Sequence, residues 1–244
     1  MTPTPNSPEV APLLAFGAHP DDIEFACGGV IAKETRAGRA AHFVVCSRGE
    51  AASHGTPQQR VIEAEKSARI LGASLQLVEL DGDARLEIRA RHAIVLAQII
   101  RSIRPAIVLA PSLVENQHPD HPKLGRIVRD AARLARYGGL EELRPHPRHA
   151  IDLLLYYAIT AQAEPKDLTP LLIDVSDAQV MAAWTAAMAA HASQHATADY
   201  PQLQLTRAKL HGLSAGVEHA IVLFPGDAIV LDSLARLGRG ARRF

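Results

Sequence analysis

The chain has 244 residues, with 26 basic and 26 acidic side chains, 12 histidines and two cysteines. This length suits one domain with a substantial core, and a composition of 48% hydrophobic and 21% charged residues excludes a disordered or fibrous protein. A net charge of zero argues against general attraction to nucleic acid or anionic lipid, and two cysteines are too few for a disulfide framework or a thiolate zinc site.

The amino-terminal segment is polar and interrupted by Pro3, Pro5 and Pro8. It lacks the basic and apolar regions of a secretory signal, and no segment of the chain approaches the ~20 uninterrupted apolar residues that cross a bilayer. We therefore expect a flexible tail over residues 1–10 and a single domain over 11–244. The expected compartment is the cytoplasm, without a nucleic-acid or membrane partner.

Short apolar runs alternate with longer amphipathic stretches through the first two-thirds of the chain. Gly28 and Gly29 are interpreted as a break between the first strand and the first helix, and Pro105 ends the third helix. The pattern predicts strands at 12–18, 41–46, 75–79 and 106–110, and helices at 28–37, 61–71, 89–104 and 124–136. Repeated βα units of this kind predict an α/β, Rossmann-like three-layer sandwich with a mainly parallel sheet. Ligands bind beyond the carboxyl ends of the strands in such sheets.

The last third of the chain is less regular. We predict strands at 151–159, 171–175 and 216–224. Ser176, with Gln179 at the capping-box position, is the predicted N-cap of a helix that runs to about residue 192. No internal repeat or long linker divides the chain.

Two clusters of histidine and aspartate follow predicted strands. One is the run His19-Pro20-Asp21-Asp22-Ile23-Glu24 after the first strand, and the other is His118-Pro119-Asp120-His121 after the fourth. Zinc favours His nitrogen and Asp oxygen, with three protein ligands in catalytic sites. The first and fourth strands are often neighbours at the switch point of a doubly wound sheet, so we expect the two clusters to meet.

Each cluster also has a simpler interpretation. A His-Pro-Asp run is a common turn, and paired aspartates at a helix N-terminus contribute only about 0.3–1 kcal/mol of stabilisation. Two such clusters at strand ends on the same expected ligand-binding edge favour a functional site over two independent turns.

The two motifs resemble the signatures of the LmbE-like, or PIG-L, zinc deacetylases. The resemblance continues outside them, and toward the carboxyl end it favours the bacillithiol-pathway branch, which deacetylates N-acetylglucosaminyl malate. The segments that carry it are Ala18–Glu24, Cys27–Gly29, Ser47–Glu50, Gly55–Thr56, Arg60, Glu63–Ala64, Ile70–Gly72, His118–His121, Ile173–Ser176, His191–Gln194 and Ala215–Glu218.

The resemblance implies a hydrolase with a metal-activated water. His19, Asp22 and His121 would hold Zn²⁺, with Fe²⁺ as an alternative metal. Asp21 would be the general base and would later protonate the departing amine. His118 would stabilise the oxyanion, and Asp120 would orient His118.

Two further residues are implied as substrate contacts. Arg60 stands at a position that the family uses for substrate, and its alternative is a solvated arginine at a helix start. Glu24, the last residue of the first motif, is expected to contact the sugar or to have a structural role rather than to bind zinc.

Other residues receive simpler interpretations. Cys27 and Cys46 are expected to be small buried hydrophobes. His191 and His195 could form a second metal pair or reach the rim of the site, although no third ligand type lies nearby in sequence. Some relatives carry a tyrosine directly before the second motif, where this chain has Asn116-Gln117. Tyr200 is a candidate substitute.

The favoured function is therefore zinc-dependent N-deacetylation of an N-acetylglucosaminyl conjugate, such as glucosaminyl malate, by a homo-oligomer of trimeric or hexameric form. Chitooligosaccharides and thiol-sugar conjugates are alternative substrates. A non-catalytic sugar- or metal-binding relative is an alternative of another class. A nucleotide-dependent enzyme is disfavoured because the chain lacks a glycine-rich fingerprint.

Overall fold

The computed structural model describes residues 10–115, 118–196, 199–236 and 238–241, apart from the side chains of 195, 196 and 236. Most of the predicted tail at 1–10 lies outside these ranges. In chain order the elements are β1 (Leu13–Gly17), α1 (Asp22–Arg36), β2 (Ala41–Val45), α2 (Pro57–Ile70), β3 (Ala73–Leu77), α3 (Ala90–Ile103), β4 (Ile107–Pro111), α4 (Asp120–Leu134), β5 (Leu153–Tyr157), β6 (Leu171–Asp174), α5 (Ala178–Ala189), α6 (Tyr200–Ala215) and β7 (Ala220–Pro225).

A seven-stranded sheet forms the middle layer, in the order β3-β2-β1-β4-β5-β7-β6. The first five strands in this order are parallel, and β7 runs antiparallel to both β5 and β6. The chain reverses its direction of winding between β1 and β4, which are neighbours. This is the switch point of the sheet, where the carboxyl ends of two strands diverge into loops and leave space for a ligand. The predicted three-layer α/β fold is confirmed.

Two apolar cores cover the two faces of the sheet. One contains α1 and α5 residues such as Ile31 and Trp184, and the other contains α3 and α4 residues such as Leu96 and Ile127. The inner strands are buried on both faces, which explains why they appear in the sequence as continuous apolar runs. Among the described residues, no helix is long and apolar enough to span a membrane.

The first helix begins at Asp22, not near Gly28 as predicted. Gly28 and Gly29 lie inside α1, where the ring of Trp184 from α5 packs against them. A Cβ at Gly28 would lie 2.7 Å from Trp184 Cδ1, and one at Gly29 would lie 2.9 Å from Ile221 Cδ1. The glycine pair therefore permits close packing of two helices and a strand, and does not break the chain.

Two predictions for the last third need correction. Asp177, rather than Ser176, caps α5 by accepting the N–H groups of Gln179 and Val180. The Ser176 hydroxyl instead donates to Asp174 Oδ1, at the end of β6. Helix α6 was not predicted, because its buried positions are small or polar and give no apolar period; they are Gln204, Ala208, Gly212 and Ala215.

Candidate active site

The two histidine–aspartate clusters meet at the carboxyl edge of β1 and β4. His19 and Asp21 lie in the turn after β1, and Asp22 is the first residue of α1. His118 lies in the loop after β4, and His121 is the second residue of α4. The neighbouring strands thus bring together two segments that are about a hundred residues apart in sequence, as predicted.

The three predicted metal ligands lie next to one another. His19 Nδ1 lies 3.3 Å from His121 Nε2, Asp22 Oδ1 lies 3.1 Å from His121 Nε2, and Asp22 Oδ2 lies 3.5 Å from His19 Nδ1. Asp22 Oδ2 also accepts the backbone N–H groups of Ala18 and His19, which fixes its rotamer. Burial alone would raise the pKa of Asp22, but His121 and His19 hold it well below its usual range. The carboxylate is therefore charged and ready to bind a cation.

The donor set fits a divalent metal. His19, His118 and His121 offer ligand atoms within 4.8 Å of one another, and so do His19, Asp83, His118 and Asp120. Three buried atoms of the second group have no hydrogen-bond partner in the described part of the chain, namely His19 Nε2, Asp83 Oδ1 and Asp120 Oδ1; this group does not include Asp22. Unpartnered buried polar atoms are costly unless something else binds them. Imidazole and carboxylate without thiolate suit zinc and its neighbours among the divalent metals.

Asp21 occupies a strained backbone position beside this site. Its φ is 124°, in a region that residues other than glycine rarely adopt. Arg60 Nη2 holds it there by donating both to Asp21 Oδ2, at 3.1 Å, and to the carbonyl of Pro20, at 2.9 Å. Burial raises the pKa of Asp21 to about 6, although Arg60 opposes this shift.

Arg60 is itself buried, with only 4% of its surface exposed. Its Nη1 donates to the carbonyl of Gly49 at 3.1 Å. The guanidinium also lies against the Cα of Gly49, where a Cβ would overlap it. The alternative of a solvated surface arginine is therefore wrong. The contacts of this side chain are with the turn that carries Asp21 and with the loop after β2.

His118 lies on the open side of the site, with a third of its side chain exposed. Its Nδ1 faces the backbone N–H of Asp120 at 3.3 Å, which favours a ring proton on Nε2. The carboxylate of Asp120 accepts the N–H of Ala84 at 2.8 Å and lies 3.6 Å from His19 Nε2. That Asp120 orients His118 through its carboxylate stays a prediction.

Asp83 is a member of the site that the sequence analysis missed. Its Oδ1 lies 3.0 Å from His19 Nε2 and 3.5 Å from His118 Nε2. Burial alone would raise the pKa of Asp83, but the neighbouring imidazoles of His118 and His19 hold it well below its usual range. The loops after β2 and β3 fix it, because the N–H of Ala51 donates to its Oδ2 and its own N–H donates to Glu50. The signal in the sequence was a pair of aspartates, Asp81 and Asp83, in the loop after a third parallel strand.

The remaining candidates lie behind the site or outside the described residues. Glu24 is buried, with Oε1 3.3 Å from His191 Nε2. Cys27 and Cys46 are buried free thiols, as expected, and burial raises the pKa of each. The side chain of His195 and the segment 116–117 lie outside the described residues, so a His191–His195 pair stays untested. The ring of Tyr200 packs near Phe25, with centroids 5.9 Å apart.

Comparisons with known proteins support the expected family. Residues 14–132 match the family model described as PIG-L: GlcNAc-PI de-N-acetylase. The chain is 31% identical over 137 residues to a diacetylchitobiose deacetylase of Thermococcus kodakarensis, a match that covers 52% of this chain and 51% of the relative. It is 29% identical over 146 residues to a 4-oxalmesaconate hydratase of Pseudomonas putida, covering 55% of this chain and 56% of the relative. The matched part thus spans about half the length of these curated relatives.

The fold has relatives that span nearly the whole chain. The crystal structure of a conserved protein from Thermus thermophilus superposes with a TM-score of 0.80 at 26% identity, over 93% of this chain and 100% of the other. The chain thus resembles the PIG-L family over residues 14–132 and shares its fold with the Thermus protein over 93% of its length. The bacillithiol-pathway branch, in contrast, is not distinguished from the others by these relatives.

Proposed function

We propose that this chain is a metal-dependent hydrolase that removes the acetyl group from an N-acetylated amino sugar. The observation that carries the proposal is a largely buried carboxylate, Asp21, held beside the adjacent side chains of His19, Asp22 and His121. A non-catalytic metal-binding protein needs no such carboxylate. The strained backbone at Asp21 costs about 1–3 kcal/mol, which a binding role would not explain. The match to a de-N-acetylase family supports the same reaction.

His19, Asp22 and His121 would hold the metal, Zn²⁺ or alternatively Fe²⁺. When bound, such a metal lowers the pKa of a water molecule and polarises a carbonyl oxygen. Asp22 supplies a charged ligand whose second oxygen is anchored by two backbone N–H groups, so the coordinating oxygen is held in place. The two imidazoles are buried against each other, which limits their rotation.

Asp21 would act as the general base. Arg60 occupies its Oδ2, so Oδ1 is the oxygen that takes the proton from the attacking water. The same carboxyl group then returns this proton to the amide nitrogen as the C–N bond breaks, and the products are acetate and a free amine. A pKa raised to about 6 suits both halves of this transfer near neutral pH.

His118 would donate a proton or a hydrogen bond to the oxygen of the acetyl group. It is the more exposed of the site histidines, and Asp83 lies behind its Nε2. We assign the orientation of His118 to Asp83 as well as to Asp120, because Asp83 Oδ1 faces both His118 and His19.

Arg60 and Glu24 are more readily explained as residues that position Asp21 and α1 than as substrate contacts. The hydrogen bonds of the Arg60 guanidinium run to protein oxygens, and the carboxylate of Glu24 faces His191. Direct contact of either residue with the sugar is the alternative. It would raise the KM for substrate when Arg60 or Glu24 is replaced.

The favoured substrate class is an N-acetylglucosaminyl conjugate. Resemblance suggests glucosaminyl malate, the Thermococcus relative suggests diacetylchitobiose, and thiol-sugar conjugates are a further alternative. A cytoplasmic location and a trimeric or hexameric assembly complete the proposal.

A second candidate is hydration of an unsaturated polycarboxylic acid. It is favoured by the similarity to the 4-oxalmesaconate hydratase. Asp21 and His118 could serve there as base and acid for addition of water across a C=C bond. This reaction releases no amine, which separates it from deacetylation.

The test is a substrate panel with metal-loaded protein of measured metal content. The compounds are N-acetylglucosaminyl malate, diacetylchitobiose, N-acetylglucosamine and 4-oxalmesaconate, with amine release and loss of the double bond measured in parallel. We expect amine release that a chelator abolishes, that zinc restores and that the Asp21→Asn variant lacks. Hydration of 4-oxalmesaconate without amine release would replace the proposal by the second candidate. Bound metal without either reaction would favour a binding protein.

A further inference from the structure

His191 is a buried histidine that the proposed reaction does not use. It follows the end of α5 and is fully buried. Neither ring nitrogen has a hydrogen-bond partner of good geometry in the described part of the chain. The nearest charged atom is Glu24 Oε1, 3.3 Å from Nε2, and the ring of Phe25 lies at a centroid distance of 5.9 Å. A buried imidazole without good hydrogen bonds is costly in either charge state, and a charged ring additionally needs a carboxylate close by.

The charges around His191 are predominantly negative. Glu24 of α1, Glu63 of α2 and Asp21 all act on it, and Arg60 pairs with Asp21. With Arg60 paired to Asp21, a neutral His191 would leave the buried Glu24 without a cationic partner in the described part of the chain. Burial alone would lower the pKa of His191, but these three carboxylates raise it above its ordinary value.

The turn after α5 is fixed on its other side as well. Ser193 donates through its backbone N–H and its hydroxyl to Glu63, at 3.0 and 2.6 Å. Gln194 Nε2 donates to the carbonyl of His54, in the loop that leads into α2. His191 is therefore held between a rigid turn and the first turn of α1, where small movements would be transmitted to Asp21 and Asp22.

We propose that His191 is a positioning residue, present as a buried imidazolium whose pairing with Glu24 fixes the first turn of α1 and with it Asp21 and Asp22. The role in catalysis rests on the proposed function, whereas the buried ion pair does not. The ligand-bearing turn begins α1 directly, with no side chain capping its N-terminus. The contact of Glu24 with His191 therefore adds to the hydrogen bonds from Arg60 and Trp184 that hold this turn.

The charge of His191 is tested by NMR of histidine-labelled protein, which needs no substrate. The His191→Gln variant identifies the signal by its disappearance. We expect protons on both ring nitrogens at about pH 7, above the ordinary pKa of ~6.5, and a lower pKa of His191 in the Glu24→Gln variant. A ring that is neutral at this pH in the wild-type protein would overturn the proposal.

The positioning role is tested with His191→Gln, Glu24→Gln and the double variant. We expect each single variant to weaken zinc binding and to lower kcat about tenfold or more with KM within about twofold, because small displacements of reacting groups are costly. The double variant should be no worse than either single one, since both break the same pair. His149→Gln is the matched control, because this histidine bonds the carbonyl of Pro105 at the other edge of the sheet.

Two outcomes distinguish this proposal from the proposed function. Unchanged zinc affinity in a folded His191→Gln protein would refute the positioning role whatever the substrate proves to be. If the wild-type protein shows no deacetylation, the proposed function fails, but the NMR measurement of the His191 charge and the zinc affinities of the variants still test the positioning role. If His191→Gln does not fold, the Glu24→Gln variant retains the imidazole and supplies the pKa and zinc measurements.

Discussion

Replacement of Asp21 by Asn should change the way in which the stability of the metal-free protein depends on pH. Burial raises the pKa of Asp21 from 3.8 to about 6 in the folded state, with Arg60 opposing the shift. The unfolded chain therefore releases this proton at lower pH than the folded chain does. The stability that the protonated group contributes is fully present below about pH 4 and is lost as the pH rises through about 6. The Asp21→Asn variant has no such loss.

The size of the effect follows from the shift. A change in pKa from 3.8 to about 6 corresponds to about 3 kcal/mol, of which about 2 kcal/mol develops between about pH 4.5 and 8. The amide of the Asp21→Asn variant makes a different hydrogen bond with Arg60, but this effect is the same at every pH. It therefore does not alter the pH dependence of the free energy of unfolding. Asn also tolerates the positive φ at this position better than most residues.

Urea unfolding in the presence of a chelator measures the free energy of unfolding of both proteins across this pH range. We subtract the free energy of unfolding of the wild type from that of the variant at each pH. We expect this difference to rise by about 2 kcal/mol between about pH 4.5 and about pH 8. The control is Asp152→Asn, an exposed carboxylate just before β5 at the opposite edge of the sheet, for which the difference should stay flat. A flat difference for Asp21→Asn as well would refute the raised pKa.

Three further predictions concern packing and metal binding. Gly28→Ala should lower the free energy of unfolding by about 1–3 kcal/mol, because the new Cβ would overlap Trp184; Gly139→Ala, which adds a Cβ into open space, should change it little in the same urea titration. Tyr157→Phe should cost about 0.5–1.5 kcal/mol, because the buried hydroxyl donates to the carbonyl of Phe16, and an unchanged urea midpoint would contradict this hydrogen bond. Zinc at a hundred times its Kd should stabilise the wild-type protein by about 2.7 kcal/mol. That gain should disappear in His121→Ala but not in the surface variant His54→Ala; calorimetry with and without chelator checks both.

The sequence predicted the sheet well, because each inner strand is buried on both faces and is therefore continuously apolar. It also predicted that His19 and His121 would meet, since parallel strands end on one edge and β1 and β4 are neighbours. Asp83 was missed because it lies several residues beyond β3, in an Asp-Gly-Asp run that is indistinguishable from an ordinary turn. Its role depends on hydrogen bonds from Ala51 and to Glu50, which no local pattern encodes.

Other features depended on tertiary packing in the same way. The buried face of α6 is made of small and polar residues, so hydrophobic periodicity gave no signal there. Gly28 was interpreted as a chain break because the sequence does not show the partner that occupies the space above it. Arg60 was expected to contact the substrate or to be a solvated arginine at a helix start, whereas its guanidinium fills the space beside Gly49, which has no side chain.

The contact of Trp184 with the glycine pair of α1 has a consequence for how this protein can change in evolution. The indole Nε1 donates to the carbonyl of Glu24, in the first turn of the helix that carries Asp22. The segment matched by the family model ends at residue 132, yet this support comes from α5, some fifty residues later. A substitution at Gly28 is therefore tolerated only with a smaller residue at position 184. These two positions should covary among homologues, and a fragment that ends after α4 should not form the metal site on its own.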